Sequence, residues 1–202
     1  DLSGTRISLM IAGVGALLAG LLTRSRLRRF RVGKQEPLGL VPKLKRPPTN
    51  GLFVAFEGVE GSGKGTQIRL AKDWLESQDI EVMVTREPGG TPVGEELRTQ
   101  LLAHDTGHIE PKTEALLFAA SRAQHVASVI RPALAAGRVV LTDRYIDSSL
   151  ADQGSARGLG EQDVLTLNVW GTQGLFPDLV ILLHLQPEGG LLPSTEGRQR
   201  ME

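Results

Sequence analysis

The stretch Leu52 to Gln67, LFVAFEGVEGSGKGTQ, constrains this chain more than any other, because a short apolar run breaks into glycines and then enters a helical pattern. Gly58, Gly63 and Lys64 have the G-x-x-x-x-G-K spacing of a phosphate-binding loop. The glycines allow successive backbone N–H groups to converge on phosphate oxygens, and the lysine adds a mobile point charge. Leu52 to Phe56 reads as a buried strand and Thr66 to Glu76 as an amphipathic helix, so the loop has the strand and helix such a motif requires. The positive end of that helix, near Lys64, adds to the attraction for phosphate. Gly58, Gly61, Ser62, Gly63, Lys64, Gly65 and Thr66 are the predicted phosphate-binding positions.

Gly65 stands where a P-loop usually carries the Ser or Thr that binds magnesium, which leaves Thr66 as the nearest hydroxyl and only a weak metal candidate. The form G-K-G-T-Q resembles the P-loop of adenylate kinases, so Gly65 does not by itself indicate a dead site.

With 202 residues, 40% of them hydrophobic, the chain can bury one substantial α/β core but hardly two. Its 23 basic and 23 acidic residues balance, which gives no general reason to expect a nucleic-acid partner. The absence of cysteine excludes disulfides, thiolate catalysis and cysteine metal sites. The start at Asp1 and the stop at Met201-Glu202, just after a strand, read as those of a fragment.

Upstream of the loop, Ile7 to Leu22 is uncharged and rich in Gly and Ala, and Arg24, Arg26, Arg28, Arg29 and Arg31 follow it. The run falls slightly short of the ~20 residues that cross a bilayer, and its flanks can extend it with Arg6 snorkelling. Residues 1–31 are therefore expected to form a transmembrane helix with a cytoplasmic basic flank; a buried soluble helix is the other reading. Residues 32–50 hold Pro37, Pro42, Pro47 and Pro48 among cations, without helical or alternating periodicity, and read as a linker. Residues 51–202 then form a kinase-like domain on the cytoplasmic side of the cell membrane, where ATP is available.

Beyond the loop, Ile80 to Thr85 is a predicted second strand that delivers Arg86-Glu87-Pro88-Gly89-Gly90-Thr91 to its carboxyl end, the ligand-binding edge of open parallel sheets. Arg86 there suits a phosphate, although the turn also reads as ordinary loop punctuation. Val93 to Leu102 is a predicted helix. Lys112 to Ala136 is a longer one, kinked at Pro132, with Leu116, Leu117, Ala120, Ala123, Ala127 and Ile130 near one face. Phe118 and Arg122, four apart, share a side of it. They suit a nucleobase, but an isolated pair of this kind is more often a core aromatic beside a solvated arginine. A third strand, Arg138 to Thr142, ends in Asp143-Arg144, an acid placed for magnesium and an arginine placed for phosphate. Gly154 to Gly160 with Arg157 reads as a lid or as a mobile surface loop, and Asp178 to Leu185 as a fourth buried strand, with Pro187 opening another helix. Four strands with helical crossovers describe an α/β fold, a parallel doubly wound sheet flanked by helices.

Taken in order, EGVEGSGKGTQ, REPGGT, LLFAASRAQH, DRYIDSS, QGSARGLG and PDLVILL resemble the motifs of bacterial thymidylate kinases, P-loop nucleoside monophosphate kinases, over about Gly51 to Gly190. The resemblance implies transfer of the γ-phosphate of ATP to dTMP with Mg2+. In it Lys64 and the loop glycines hold ATP phosphates, and Glu60 contacts the acceptor sugar or its phosphate region. Phe118 stacks on thymine, Arg122 bonds its edge, and Gln153 lies near base or sugar. Arg86 and Arg144 hold the acceptor phosphate, Asp143 organises magnesium, and Arg157 stabilises the transferring group. Lys64, Arg157 and Asp143 are thus the implied catalytic residues. The family resemblance also implies a homodimer. Asp152 departs from the family's usual tyrosine beside the deoxyribose, and His184 from its usual aspartate. The N-terminus resembles the last membrane helix of a major-facilitator transporter fused to such a kinase. An AMP or UMP kinase, and a degenerate nucleotide-binding domain regulating an attached transporter, are the alternative readings.

Overall fold

The computed structural model describes residues 51–103 and 107–184. The expected membrane helix, the Pro-rich linker and the helix opening at Pro187 lie outside the described residues. Among the described residues no helix is long and apolar enough to cross a membrane.

Four strands form one sheet: β1 (Leu52–Glu57), β2 (Val82–Arg86), β3 (Val139–Asp143) and β4 (Leu179–Leu182), in the order β2-β3-β1-β4. Every neighbouring pair is parallel, with Val54 opposite Leu141 on one side and Leu179 on the other. The run Phe53 to Phe56 is fully buried because β1 is covered on both faces. Alternation along the strand divides its side chains between two cores. Val54 and Phe56 meet Ile68, Ala71 and Leu75 of α1 (Lys64–Glu76). Phe53 and Ala55 meet Val126, Ile130, Leu134, Tyr145 and Leu175 on the opposite face. The crossovers leaving adjacent strands β1 and β3 therefore lie on opposite faces, which opens a crevice between their carboxyl ends.

Helix α2 (Pro92–Leu102) starts with proline in its first turn, and the Thr91 hydroxyl accepts the Gly94 N–H at 2.9 Å. The long predicted helix is realised as α3 (Pro111–His125), a π-helical turn Val126–Ile130, and α4 (Arg131–Ala135). Pro132 supplies no N–H to the carbonyl four residues back, and the wider turn ahead of it accommodates the ring. Of the predicted apolar face of this helix Ile130 is buried, but Leu116 is 56% exposed, and along α3 the buried positions are Ala115, Ala119, Ser121, Arg122 and His125. Polar groups with partners on neighbouring elements occupy that stripe, so apolar periodicity misses it.

After β3 come α5 (Ile146–Ser149), a π-helical turn Leu150–Ala156, and α6 (Glu161–Thr172). The expected lid is thus shorter than Gly154 to Gly160. Gly154 belongs to the helical turn, where a Cβ would lie 3.0 Å from Glu161 Cα, and Arg157 begins the exposed loop. β4 is also shorter than expected and half open, with Val180 41% and Leu182 68% exposed, because among the described strands it pairs only with β1.

Candidate active site

The loop leaving β1 is shaped by glycines in backbone conformations that other residues rarely adopt. Gly58 has φ +140, and a Cβ on it would lie 2.5 Å from the Leu183 carbonyl. Gly63, at φ 86, turns the chain into α1. Lys64 folds back over this loop, its Nζ donating to the carbonyls of Gly58 (2.9 Å) and Val59 (3.0 Å). Burial lowers the pKa of its ammonium, Arg144 lowers it further, and Asp143, Glu57 and Glu60 oppose the shift.

A cleft of about 620 Å³ opens above this loop. Five predicted phosphate-loop residues line it: Gly61, Gly63, Lys64, Gly65 and Thr66. Glu60 joins them from the loop after β1, Arg86 from β2, Phe118 from α3, and Asp143 and Arg144 from the end of β3 and the residue after it. Segments far apart in sequence converge here because the parallel sheet brings the carboxyl ends of β1, β2 and β3 to one edge. Gly58 lines an adjoining cleft of about 430 Å³ with Glu60, Arg144 and Asp152. The Ser62 hydroxyl is buried without a hydrogen-bond partner.

The remaining predicted residues lie elsewhere. Arg122 is 2% exposed and buried beside the cleft, with all three guanidinium nitrogens hydrogen-bonded. It donates to Glu87, to Ser149 (3.1 Å), to Asn168 and to the Tyr145 carbonyl (3.1 Å). Gln153 donates to Glu114 Oε1 at 2.9 Å, and Arg157 donates to Glu114 Oε2 at 3.1 Å. One carboxylate on α3 therefore gathers the amide and the loop arginine.

Sequence reasoning passed over several residues of the site. Arg98 lines the cleft one helical turn before Leu102, and its Nη1 donates to the Pro88 carbonyl at 2.9 Å. Its signal was a cation four residues from an apolar residue on a short helix, which is common on surfaces. Glu87 is 3% exposed and receives Arg122 and His125. Glu57 is 5% exposed, and its signal was a carboxylate ending an otherwise apolar strand. Burial pushes its carboxyl up, while hydrogen bonds from Ser148 and the Tyr145 N–H pull it back.

The metal question turns on Asp143, whose Oδ1 is buried without a hydrogen-bond partner. No group of three or more His, Cys, Asp or Glu able to hold a metal occurs among the described residues. Magnesium takes one or two carboxylates together with substrate phosphates and water, so an orphaned acid beside a phosphate loop fits that ion. Thr66 lines the same cleft and is exposed.

A phosphate loop on a central parallel strand, a folded-back lysine, and arginines with an acid converging from the next strand ends define a P-loop kinase. A family profile described as Thymidylate kinase matches residues 56–202. The chain belongs to the thymidylate kinase family. It is 49% identical over 152 residues to the thymidylate kinase of Clavibacter sepedonicus, covering 75% of this chain and 72% of the relative. It is 54% identical over 142 residues to that of Bifidobacterium longum, covering 68% of each. The crystal structure of thymidylate kinase from Ehrlichia chaffeensis superposes with a TM-score of 0.63 at 33% identity, covering 67% of this chain and 77% of that one.

Proposed function

We propose that this chain is an ATP-dependent dTMP kinase, moving the γ-phosphate of ATP to dTMP to give dTDP. The observation that carries the reading is one cleft that joins the Lys64 phosphate loop to a second cationic cluster, Arg86, Arg98 and Arg144, with Phe118 on its wall. Two phosphate-bearing substrates can meet there. The loop N–H groups and Lys64 hold the ATP phosphates, Arg86 and Arg144 orient the acceptor phosphate, and Phe118 stacks on its base. Glu60 faces the acceptor sugar. Gln153 lies toward the acceptor end, Arg122 acts from beneath the cleft through Glu87, which lines it, and Arg157 leaves Glu114 to neutralise charge on the transferring group.

An anionic oxygen of dTMP attacks the γ-phosphorus while the bond to the bridging oxygen of ADP breaks, so charge and phosphate count balance without a general base. Asp143 would hold Mg2+, which supplies charge neutralisation across the ATP phosphates. Asp152 lines the adjoining cleft, where a carboxylate can accept a hydrogen bond from a sugar hydroxyl, so ribose is expected to be tolerated.

Two further elements belong to the same reading. The apolar run Ile7 to Leu22 with its arginine flank supports a spanning helix over residues 1–31, a linker over 32–50, and a kinase domain on the cytoplasmic side of the cell membrane, as in a transporter fusion. The exposed Leu116 and Trp170 support a homodimer.

Thermal melts of the 202-residue chain with dTMP, its ribose analogue, AMP or ATP-magnesium test the assignment. At about 100 times Kd, dTMP should raise Tm by roughly 5–10 °C, and AMP by much less. Lys64→Ala should abolish phosphoryl transfer. A shift with ATP alone would remove dTMP as the acceptor.

A further inference from the structure

Arg144 adopts a backbone conformation that its residue type disfavours, at φ 68, and it lines both clefts. Such a residue persists only where its surroundings over-determine it. Three contacts fix the backbone. The Arg144 N–H donates to the Phe56 carbonyl at 2.9 Å, the Thr142 hydroxyl donates to the Arg144 carbonyl at 3.0 Å, and the next N–H, of Tyr145, donates to Glu57 Oε1 at 2.8 Å. The other oxygen of Glu57 accepts the Ser148 hydroxyl at 2.6 Å, and Ser148 Oγ in turn accepts Arg144 Nη1 at 3.1 Å.

One buried carboxylate thus holds the peptide that follows Arg144 and, through a serine, the guanidinium itself. The arrangement has an electrostatic side as well. Arg144 and Lys64 repel across the loop, and Glu57 is among the acids that offset this repulsion. β1 therefore carries a lysine loop beyond its end and, at its last residue, the acid that aims the arginine arriving from β3.

We propose that Glu57 is a positioning residue for the acceptor phosphate, acting through Arg144 by way of the Tyr145 N–H and the Ser148 hydroxyl. This rests on the dTMP kinase reading, in which Arg144 meets that phosphate. A residue that only completes the β1 and β3 strand ends would affect stability and both substrates alike. A positioning residue affects the acceptor.

The test is a kinetic double-mutant cycle on the full chain. Glu57→Ala should raise KM for dTMP about 10-fold while KM for ATP stays within about twofold. In an Arg144→Ala background the same change should add less than about twofold. Glu57→Gln keeps an acceptor for the Tyr145 N–H and a partner for Ser148, and should restore KM to within about threefold of the parent. If Glu57→Ala does not fold, Ser148→Ala cuts only the side-chain branch and should still raise KM for dTMP selectively. Equal effects on both substrates, or effects of Glu57 and Arg144 that multiply, would overturn the proposal. A parent chain that does not turn over dTMP would instead sink the functional reading. The ordering of the Arg144 Nε–H, measured by 15N relaxation in parent and Glu57→Ala proteins, then decides the positioning role without substrate. Loss of order supports the role, and unchanged order overturns it.

Discussion

Phe118 and Arg122 show how far a single residue can be read. Their spacing of four places them on one side of α3, and Phe118 does line the cleft. Arg122, one turn further on, lies inside the protein with Glu87, Ser149, Asn168 and the Tyr145 carbonyl around it. Spacing fixes the angle around a helix axis, whereas depth depends on where the helix crosses the sheet. The pair with Glu87, at 2% exposure for both side chains, has consequences for stability. Removing one partner of a buried pair leaves the other charge uncompensated, so Arg122→Ala should cost about 3–5 kcal/mol in urea unfolding. A loss below about 1 kcal/mol would show that water reaches Glu87 and replaces the arginine.

Glycines show the same dependence at the scale of the element. In the loop after β2, Gly90 has φ +76, and a Cβ there would lie 2.6 Å from His125 Nε2 and 2.8 Å from Thr85 Oγ1. Those two atoms are themselves 2.6 Å apart, so the glycine rests on a hydrogen bond between β2 and α3. Gly90→Ala should destabilise the protein by about 1–3 kcal/mol, through strain and displacement of that contact. Gly65, in the first turn of α1, has nothing within 4 Å of a Cβ, and Gly65→Ala should instead leave stability unchanged or raise it by up to about 1 kcal/mol. Unfolding curves of the two variants should therefore shift in opposite directions, or at least one should not shift at all; equal losses would contradict the geometry. The sequence announces both residues only as glycines, because the neighbours that distinguish them come from other elements.

At the scale of the whole molecule, the N-terminal reading predicts behaviour that the kinase domain alone would not show. The 202-residue chain should sediment with membranes, resist extraction by high salt, and be released by detergent, whereas deletion of residues 1–31 should move it to the supernatant. Recovery of the full chain in the supernatant would remove the membrane helix from the account. The alternation of apolar runs, glycine-marked turns and helical periods determined by itself that this chain builds a parallel α/β sheet with a phosphate loop at its first strand, since each signal is encoded within a few neighbouring residues. Only the tertiary structure decided that β3 lies between β2 and β1, that Glu57 receives Tyr145 and Ser148 from 88 and 91 positions away, and that Glu114 gathers Gln153 and Arg157. Such partners meet through strand order and register, which are set by how all the elements bury their faces together and leave no local pattern in the chain.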